Sequence, residues 1–302
     1  MKELNIDFMA QRKIAAMVSV VLLVVALGSL AVRGLSFGLD FTGGALVEVS
    51  YQQSADLNAT RQVLQSAGFD DPVVQNFGTD RDVLIRLQQD SSATLGDEIV
   101  SALISAGQEV ELRRSEYVGA QVGDELRDQG GLGMLFALIV VMAYVAVRFQ
   151  YKFSLGAVSA LVHDVILVLG AFSLLGWDFD LTVLAAVLAV IGYSLNDTIV
   201  VADRIRENFR TVRTGSSLDI INLSINQTLG RTLVTSLTTV LVLVALFVLG
   251  GDLIHGFATA LLIGVIVGTY SSIYVAANTL VALKIDRVDL LPPVVEEDDG
   301  RP

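Results

Sequence analysis

The chain has 302 residues, 53% of them hydrophobic and 17% charged, with a mean hydropathy of +0.64 and a formal net charge of −12. That balance lies outside the range of soluble globular proteins and makes a lipid bilayer the main solvent. With no cysteine and two histidines, disulfides, thiol nucleophiles and thiolate or His-rich metal sites are not expected. Neither is a nucleotide cradle, because no GxxxxGK[ST] motif occurs and no GxGxxG joins a strand to a helix.

Residues 1–13 form a short N-terminal segment carrying Lys2, Arg12 and Lys13. The apolar run that follows, 14–32, has roughly 19 residues, too many for the h-region of a signal peptide and enough to cross about 30 Å. Residues 14–33 are therefore expected to be a retained membrane anchor. Between 34 and 129 the composition becomes that of a soluble domain with ten more acidic than basic residues. Its pattern predicts strand 45–51, helix 56–67, strands 72–77 and 82–88, helix 92–106 and strand 108–114. The alternation of Val83, Ile85 and Leu87 supports the strands, and the spacing of Leu57, Val63 and Leu64 supports the first helix. This is the ferredoxin-like β-α-β-β-α-β order; residues 117–128 read as a further helix leading into the second span. The acidic surface is expected to be a solvated face.

Five more runs of spanning length fill residues 130–283, at 131–147, 153–175, 181–201, a long one ending near Leu249, and 255–283. Arg148 and Lys152 lie between spans two and three, Arg204, Arg206, Arg210 and Arg213 follow span four, and Lys284 and Arg287 follow span six. The alternate short loops, 177–180 and 250–252, contain no Lys or Arg. The positive-inside rule then puts both termini in the cytoplasm and domain 34–129 outside. The tail 284–302, acidic at 296–299 and flanked by Pro292, Pro293 and Pro302, has the composition of a disordered segment.

An ionisable group near the bilayer centre costs at least about 2.5–3.5 kcal/mol on insertion scales, so each needs a partner or a purpose. On span three, His163 and Asp164 fall near mid-membrane. As neighbours about 100° apart on a helix they are not expected to pair with each other, and they read either as interhelical glue or as a proton relay or gate. On span four, Asn196 and Asp197 interrupt an apolar run, with Asp197 roughly 10 Å inside the cytoplasmic edge. Burial there penalises the charged carboxylate unless a cation is near, which makes Asp197 a candidate for reversible protonation. On span five, Arg231 is the one charge between 220 and 251, and Thr235, Thr238 and Thr239 continue its face. An Asp197–Arg231 couple with a transport role is the sharper expectation, a structural ion pair the plainer one. On span six, Gly256, Ala260, Gly264 and Gly268, followed by Ser272 and Ala276, recur every four residues and read as a close helix-packing face.

Four segments carry a resemblance: FGLDFTGG (37–44), whose Gly38, Asp40, Gly43 and Gly44 read as a turn; AVRFQYKFSLGAVSALVHDVI (146–166); GYSLNDTIVVADRIREN (192–208); and RTLVTSLTT (231–239). Together they resemble the SecF family, the smaller half of the SecDF protein-export complexes. The resemblance implies a six-helix bundle forming half of an RND-type transporter of the inner membrane, with a small ferredoxin-like external domain. It implies a separate SecD subunit completing a pseudo-symmetric twelve-span body, the SecYEG translocon and YajC as further partners, and an unfolded preprotein on the external side. Nucleic acid is not an expected partner. Protons would be the coupling ion, with no other cofactor: their inward flow drives external-domain movements that assist translocation late, after the ATP-driven phase, so the chain is expected to be a transport motor rather than an enzyme. On that pattern the pathway acid falls on Asp197, beside Asn196, and the essential arginine on Arg231, while His163 and Asp164 support the pathway. A proton-driven exporter of lipid or small molecules, and a non-transporting translocon scaffold, are the alternatives; the small external domain argues against the first.

Overall fold

The computed structural model describes residues 6–87 and 94–290. The acidic tail expected at 296–299 and its prolines lie outside the described residues, as do the first residues of the helix expected from 92. In chain order the elements are α1 (Arg12–Arg33), β1 (Ser36–Phe37), α2 (Leu39–Thr42), β2 (Gly44–Tyr51), α3 (Leu57–Ser66), β3 (Val73–Phe77), β4 (Thr79–Leu87), α4 (Leu95–Ser105), β5 (Val110–Val118), α5 (Ala120–Arg148), α6 (Tyr151–Leu175), β6 (Asp178–Phe179), α7 (Leu181–Thr211), α8 (Ser217–Leu249) and α9 (Asp252–Ala282).

Among the described residues, α1 and α5 to α9 are long and apolar enough to cross a membrane, which gives six spans. Two of them differ from expectation. α7 runs ten residues beyond 201 because Arg204, Arg206 and Glu207 favour helix and pair along it, Arg204 with Glu207 at 2.8 Å and Arg206 with Asp203 at 3.3 Å. In place of a helix from 117, the chain stays in β5 to Val118, turns at Gly119 and enters one continuous helix at Ala120 that passes through the expected span boundary.

The four-stranded sheet has the order β3-β4-β2-β5, with every neighbouring pair antiparallel. Val47, Val49, Val83, Ile85 and Leu87 point to one face and bury Leu64, Ile99 and Leu103 of α3 and α4, as period-two alternation requires. Asp56 caps α3 by accepting from Asn58 and Ala59 N–H groups. On β4, Asp82 accepts from the Thr79 hydroxyl at 2.5 Å and the Ser50 hydroxyl at 2.7 Å. These bonds, aided by Arg113 and Arg81, hold its carboxyl below the usual carboxylate range. The resulting stabilisation is present above the unfolded-state pKa and disappears as pH falls through the lower folded value. Thr79→Val is expected to bring the Asp82 pKa back toward its ordinary value, as read by carbonyl-carbon NMR titration; an unmoved titration curve would discount the Thr79 bond.

In the bundle, α7, α9 and α6 are central: 56% of the apolar window of α7, and 50% of those of α6 and α9, are buried, against 17% for α8 and 6% for α5. One apolar cluster, around Phe172, Phe179, Val183 and Val187, fills the end nearest the α+β domain. Another, around Phe153, Ile205, Phe209 and Ile221, fills the far end. The far end also gathers Arg148 on Asp203 at 3.3 Å and Lys152 on Asp289 at 2.6 Å.

Candidate functional site

Asp197 lies inside the bundle, 8% exposed. Its Oδ1 accepts a hydrogen bond from Thr232 of α8 at 2.7 Å, and Ser272 of α9 is a second hydroxyl neighbour. Oδ2 is buried with no hydrogen-bond partner. The next residue, Thr198, shares a 2.9 Å hydrogen bond with Ser272, so three helices meet at the acid. The approach of α9 depends on its small-residue face: a Cβ on Gly264 would collide with Val190 Cγ2, one on Gly256 would stand 3.0 Å from Val183 and one on Gly268 3.2 Å from Ser194, while Ala260 is fully buried. The glycines of α9 thus receive the Val183, Val190 and Ser194 side chains of α7 with little room for a side chain of their own.

Arg231 is not paired with Asp197. It lies on the exposed side of α8, and its charge reaches the carboxylate only from beyond ion-pair contact. The physical reason is angular: Thr232, one residue on and about 100° round the helix, faces α7. The stripe expected to face inward is also turned out. Thr235 and Thr238 are exposed and Thr239 half-buried, and their hydroxyls bond Arg231, Val234 and Thr235 carbonyls of their own helix at 3.0, 2.8 and 2.8 Å. The inward stripe is Ser224, Thr228, Thr232 and Ser236, all buried. Its four-residue spacing was visible in the sequence, but its members carry no charge to draw attention. Asn196 lies on the exposed face of α7, in line with Gly192, Ala189 and Ala185.

His163 and Asp164 of α6 are 2% and 0% exposed, and they do pair, His163 Nδ1 lying 2.9 Å from Asp164 Oδ1. Nδ1 is the ring nitrogen nearer the backbone, so two adjacent side chains leaning toward each other close the gap that a 100° separation of their Cβ atoms suggests. Asp164 Oδ2 accepts from Ser194 of α7 at 2.5 Å and from Ser271 of α9 at 2.6 Å. Among the described residues no cluster of three or more His, Asp or Glu gathers as metal ligands would.

The Gly-rich motif forms the joint between domain and bundle. β1 pairs in parallel with β6, Gly38 N–H donates to Phe179 O at 2.9 Å, and Asp40 accepts from Leu181 N at 3.0 Å at the start of α7, which Asp180 caps by accepting from Val183 N. Gly43, at φ +66°, presses on α5 so closely that a Cβ would come within 2.7 Å of Ala120 Cα. Nearby, Arg86 of β4 pairs with Asp178 at 2.7 Å.

A six-helix bundle with a ferredoxin-like domain inserted after its first helix defines a multi-pass membrane protein, here with a buried acid in its core. Residues 98–286 match the family described as protein export membrane protein SecD/SecF, C-terminal, and residues 28–55 match the SecD/SecF GG motif. The chain belongs to this SecD/SecF protein-export family, and its relatives are of the SecF kind. It is 52% identical to protein translocase subunit SecF of Pseudomonas aeruginosa, over 99% of this chain and 98% of that one. Against SecF of Escherichia coli O157:H7 it is 42% identical, over 97% and 92%. The crystal structure of SecDF from Thermus thermophilus, described as a translocon-associated membrane protein, superposes with a TM-score of 0.84 at 36% identity, covering 93% of this chain and 39% of that one. Against SecDF in a super-membrane-facing form the TM-score is 0.70, with 94% and 39% covered. The chain thus spans about two fifths of the length of these SecDF chains.

Proposed function

We propose that this chain is the SecF half of a proton-driven complex with SecD, in the inner membrane, that assists preprotein translocation through SecYEG late and without ATP of its own. The observation that carries this reading is Asp197: a buried carboxylate with one oxygen unpartnered is a costly thing to keep in a membrane bundle unless it takes up and gives back a proton. The orientation follows from charge. Arg148, Lys152, Arg204, Arg206, Arg210, Lys284 and Arg287 gather at or beyond the end of the bundle opposite the domain, which supports a cytoplasmic position for that end and an external one for the domain. SecD is the expected cover for α5 and α8, whose apolar surfaces are largely bare, and for Arg231 and Asn196, which are polar groups on the outer surface of spans. A protein neighbour satisfies them where lipid cannot. SecYEG and YajC are the further partners expected from the relatives' role.

The test is to reconstitute the chain with SecD in vesicles and follow proton influx under an imposed potential and pH gradient. Influx is expected, and it should rise when an unfolded polypeptide is engaged. A complex that assembles yet passes no protons in either condition would be a scaffold and would overturn the proposal.

A further inference from the structure

We propose, building on the proton-driven reading above, that Asp164 is a second proton-carrying acid in series with Asp197, upstream of it on the domain side, and that His163 is the residue that positions it.

Depth gives the order. Asp164 lies eleven residues before the domain-side end of α6 at Leu175, and Asp197 sixteen residues beyond the domain-side start of α7 at Leu181. At 1.5 Å per residue these depths are about 16 Å and about 24 Å. A proton moving from the domain side toward the far end therefore meets Asp164 first.

Connectivity gives the route. The two serines that donate to Asp164 stand next to the groups that hold Asp197. Ser194 precedes Asp197 by one helical turn on α7, and Ser271 precedes Ser272, the hydroxyl that bonds Thr198 and neighbours Asp197. A band of hydroxyls thus lines the interval between the two acids, with Ser194 and Ser271 on Asp164 and Thr232 on Asp197. It is possible only because Gly268 lets α9 approach Ser194.

Charge distinguishes a carrier from a strut. A static carboxylate at this depth would be expected beside a fixed cation, and no Lys or Arg ion pair reaches Asp164 among the described residues; its ion-pair partner is His163, a titratable group itself. The other groups facing the pair are Tyr270 of α9, whose ring lies 6.1 Å from the His163 ring, and Asp197 one step deeper on α7. α1 carries charge only at its ends, and α5 does the same apart from the exposed Tyr144. Tyr270 is occupied, donating to Ala15 O at 2.7 Å and bonded to Ser19 at 2.9 Å. His163 Nε2, by contrast, is buried with no hydrogen-bond partner, while Nδ1 holds Asp164. In the transfer itself the Asp164 O–H bond breaks and an O–H bond forms on the Asp197 carboxylate at Oδ2, each hydroxyl or water between them gaining one proton and releasing one. No other bond changes.

The test uses the whole complex in vesicles, comparing wild type with Asp164→Asn, Asp164→Glu, His163→Gln and Asp197→Asn. Asp164→Asn is expected to lower proton flux about tenfold or more, with Asp164→Glu recovering most of it. His163→Gln should shift the pH of half-maximal flux, which a strut would leave in place. Infrared difference spectra taken across that pH should show a carboxylic-acid C=O band that persists in Asp197→Asn and is missing in Asp164→Asn. If Asp164→Asn conducts like wild type while Asp197→Asn is dead, the present inference falls and the proton-driven reading stands; if Asp197→Asn also conducts normally, that reading falls first. Should Asp164→Asn fail to assemble, the infrared band in Asp197→Asn still decides: without a titrating carboxyl there, Asp164 is a strut.

Discussion

Asp197→Asn is expected to reduce proton flux through the reconstituted complex by about 100-fold or more, the scale on which a positioned acid–base group contributes, while leaving the protein folded. The amide oxygen can still accept from Thr232, whose bond to Oδ1 is 2.7 Å, so the α7–α8 contact survives. The amide also removes the cost of an unpaired buried charge, and the change in stability is expected to stay within about 1 kcal/mol. A loss of flux with an unchanged melting point therefore separates proton carriage from packing. The drive available is sufficient. One charge crossing 100 mV makes about 2.3 kcal/mol available, which biases a two-state helix arrangement roughly fiftyfold. Arg231→Met supplies the contrast. Because Arg231 is exposed and outside ion-pair contact with the acid, its loss is expected to spare the stability of the isolated chain and to act only once the partner half is in place. Normal flux in both variants would remove both residues from the mechanism.

The second large effect concerns the α7–α9 seam. Gly264→Leu is expected to cost about 3 kcal/mol or more and to lower the unfolding temperature of the bundle, since even the added Cβ would collide with Val190 Cγ2, well inside the distance at which overpacking is tolerated. Gly268→Ala should be milder, its nearest contact being Ser194 Cβ at 3.2 Å. Gly192→Ala, with nothing within 4 Å of the new methyl, should be neutral or slightly stabilising through helix propensity. Thermal unfolding of the detergent-solubilised chain checks the ranking. Equal effects at Gly264 and Gly192 would mean that α9 does not rest on α7 through this face.

What the sequence revealed and what it hid have a common cause. Charge in an apolar run is visible without any structure, because insertion energetics single it out; Asp197, Arg231, His163 and Asp164 were all found in this way. Period-two and helical spacing likewise gave the order of the sheet domain and the six spans. Facing was harder to see. A polar stripe at helical spacing shows that a helix has two sides but not which side is covered, and α8 carries two such stripes. The one with the arginine drew attention and faces out; Ser224, Thr228, Thr232 and Ser236 face in. The pairing of His163 with Asp164 escaped for a different reason, since a helical wheel places Cβ atoms and says nothing of how two side chains lean.

The joint made by β1, α2 and β6 binds the domain to the few residues that begin α7. Asp40 accepts from the first N–H of that helix, Gly38 bonds Phe179, and Arg86 holds Asp178. α7 is 31 residues of unbroken helix, a rod of about 46 Å with the domain bolted to one end and Asp197 on its shaft. If protonation of the acid shifts this rod, linkage makes the traffic two-way: a tug on the domain must alter the grip of Asp197 on its proton. The domain would then report load as well as deliver it, and the protein would serve as strain gauge and engine in a single helix.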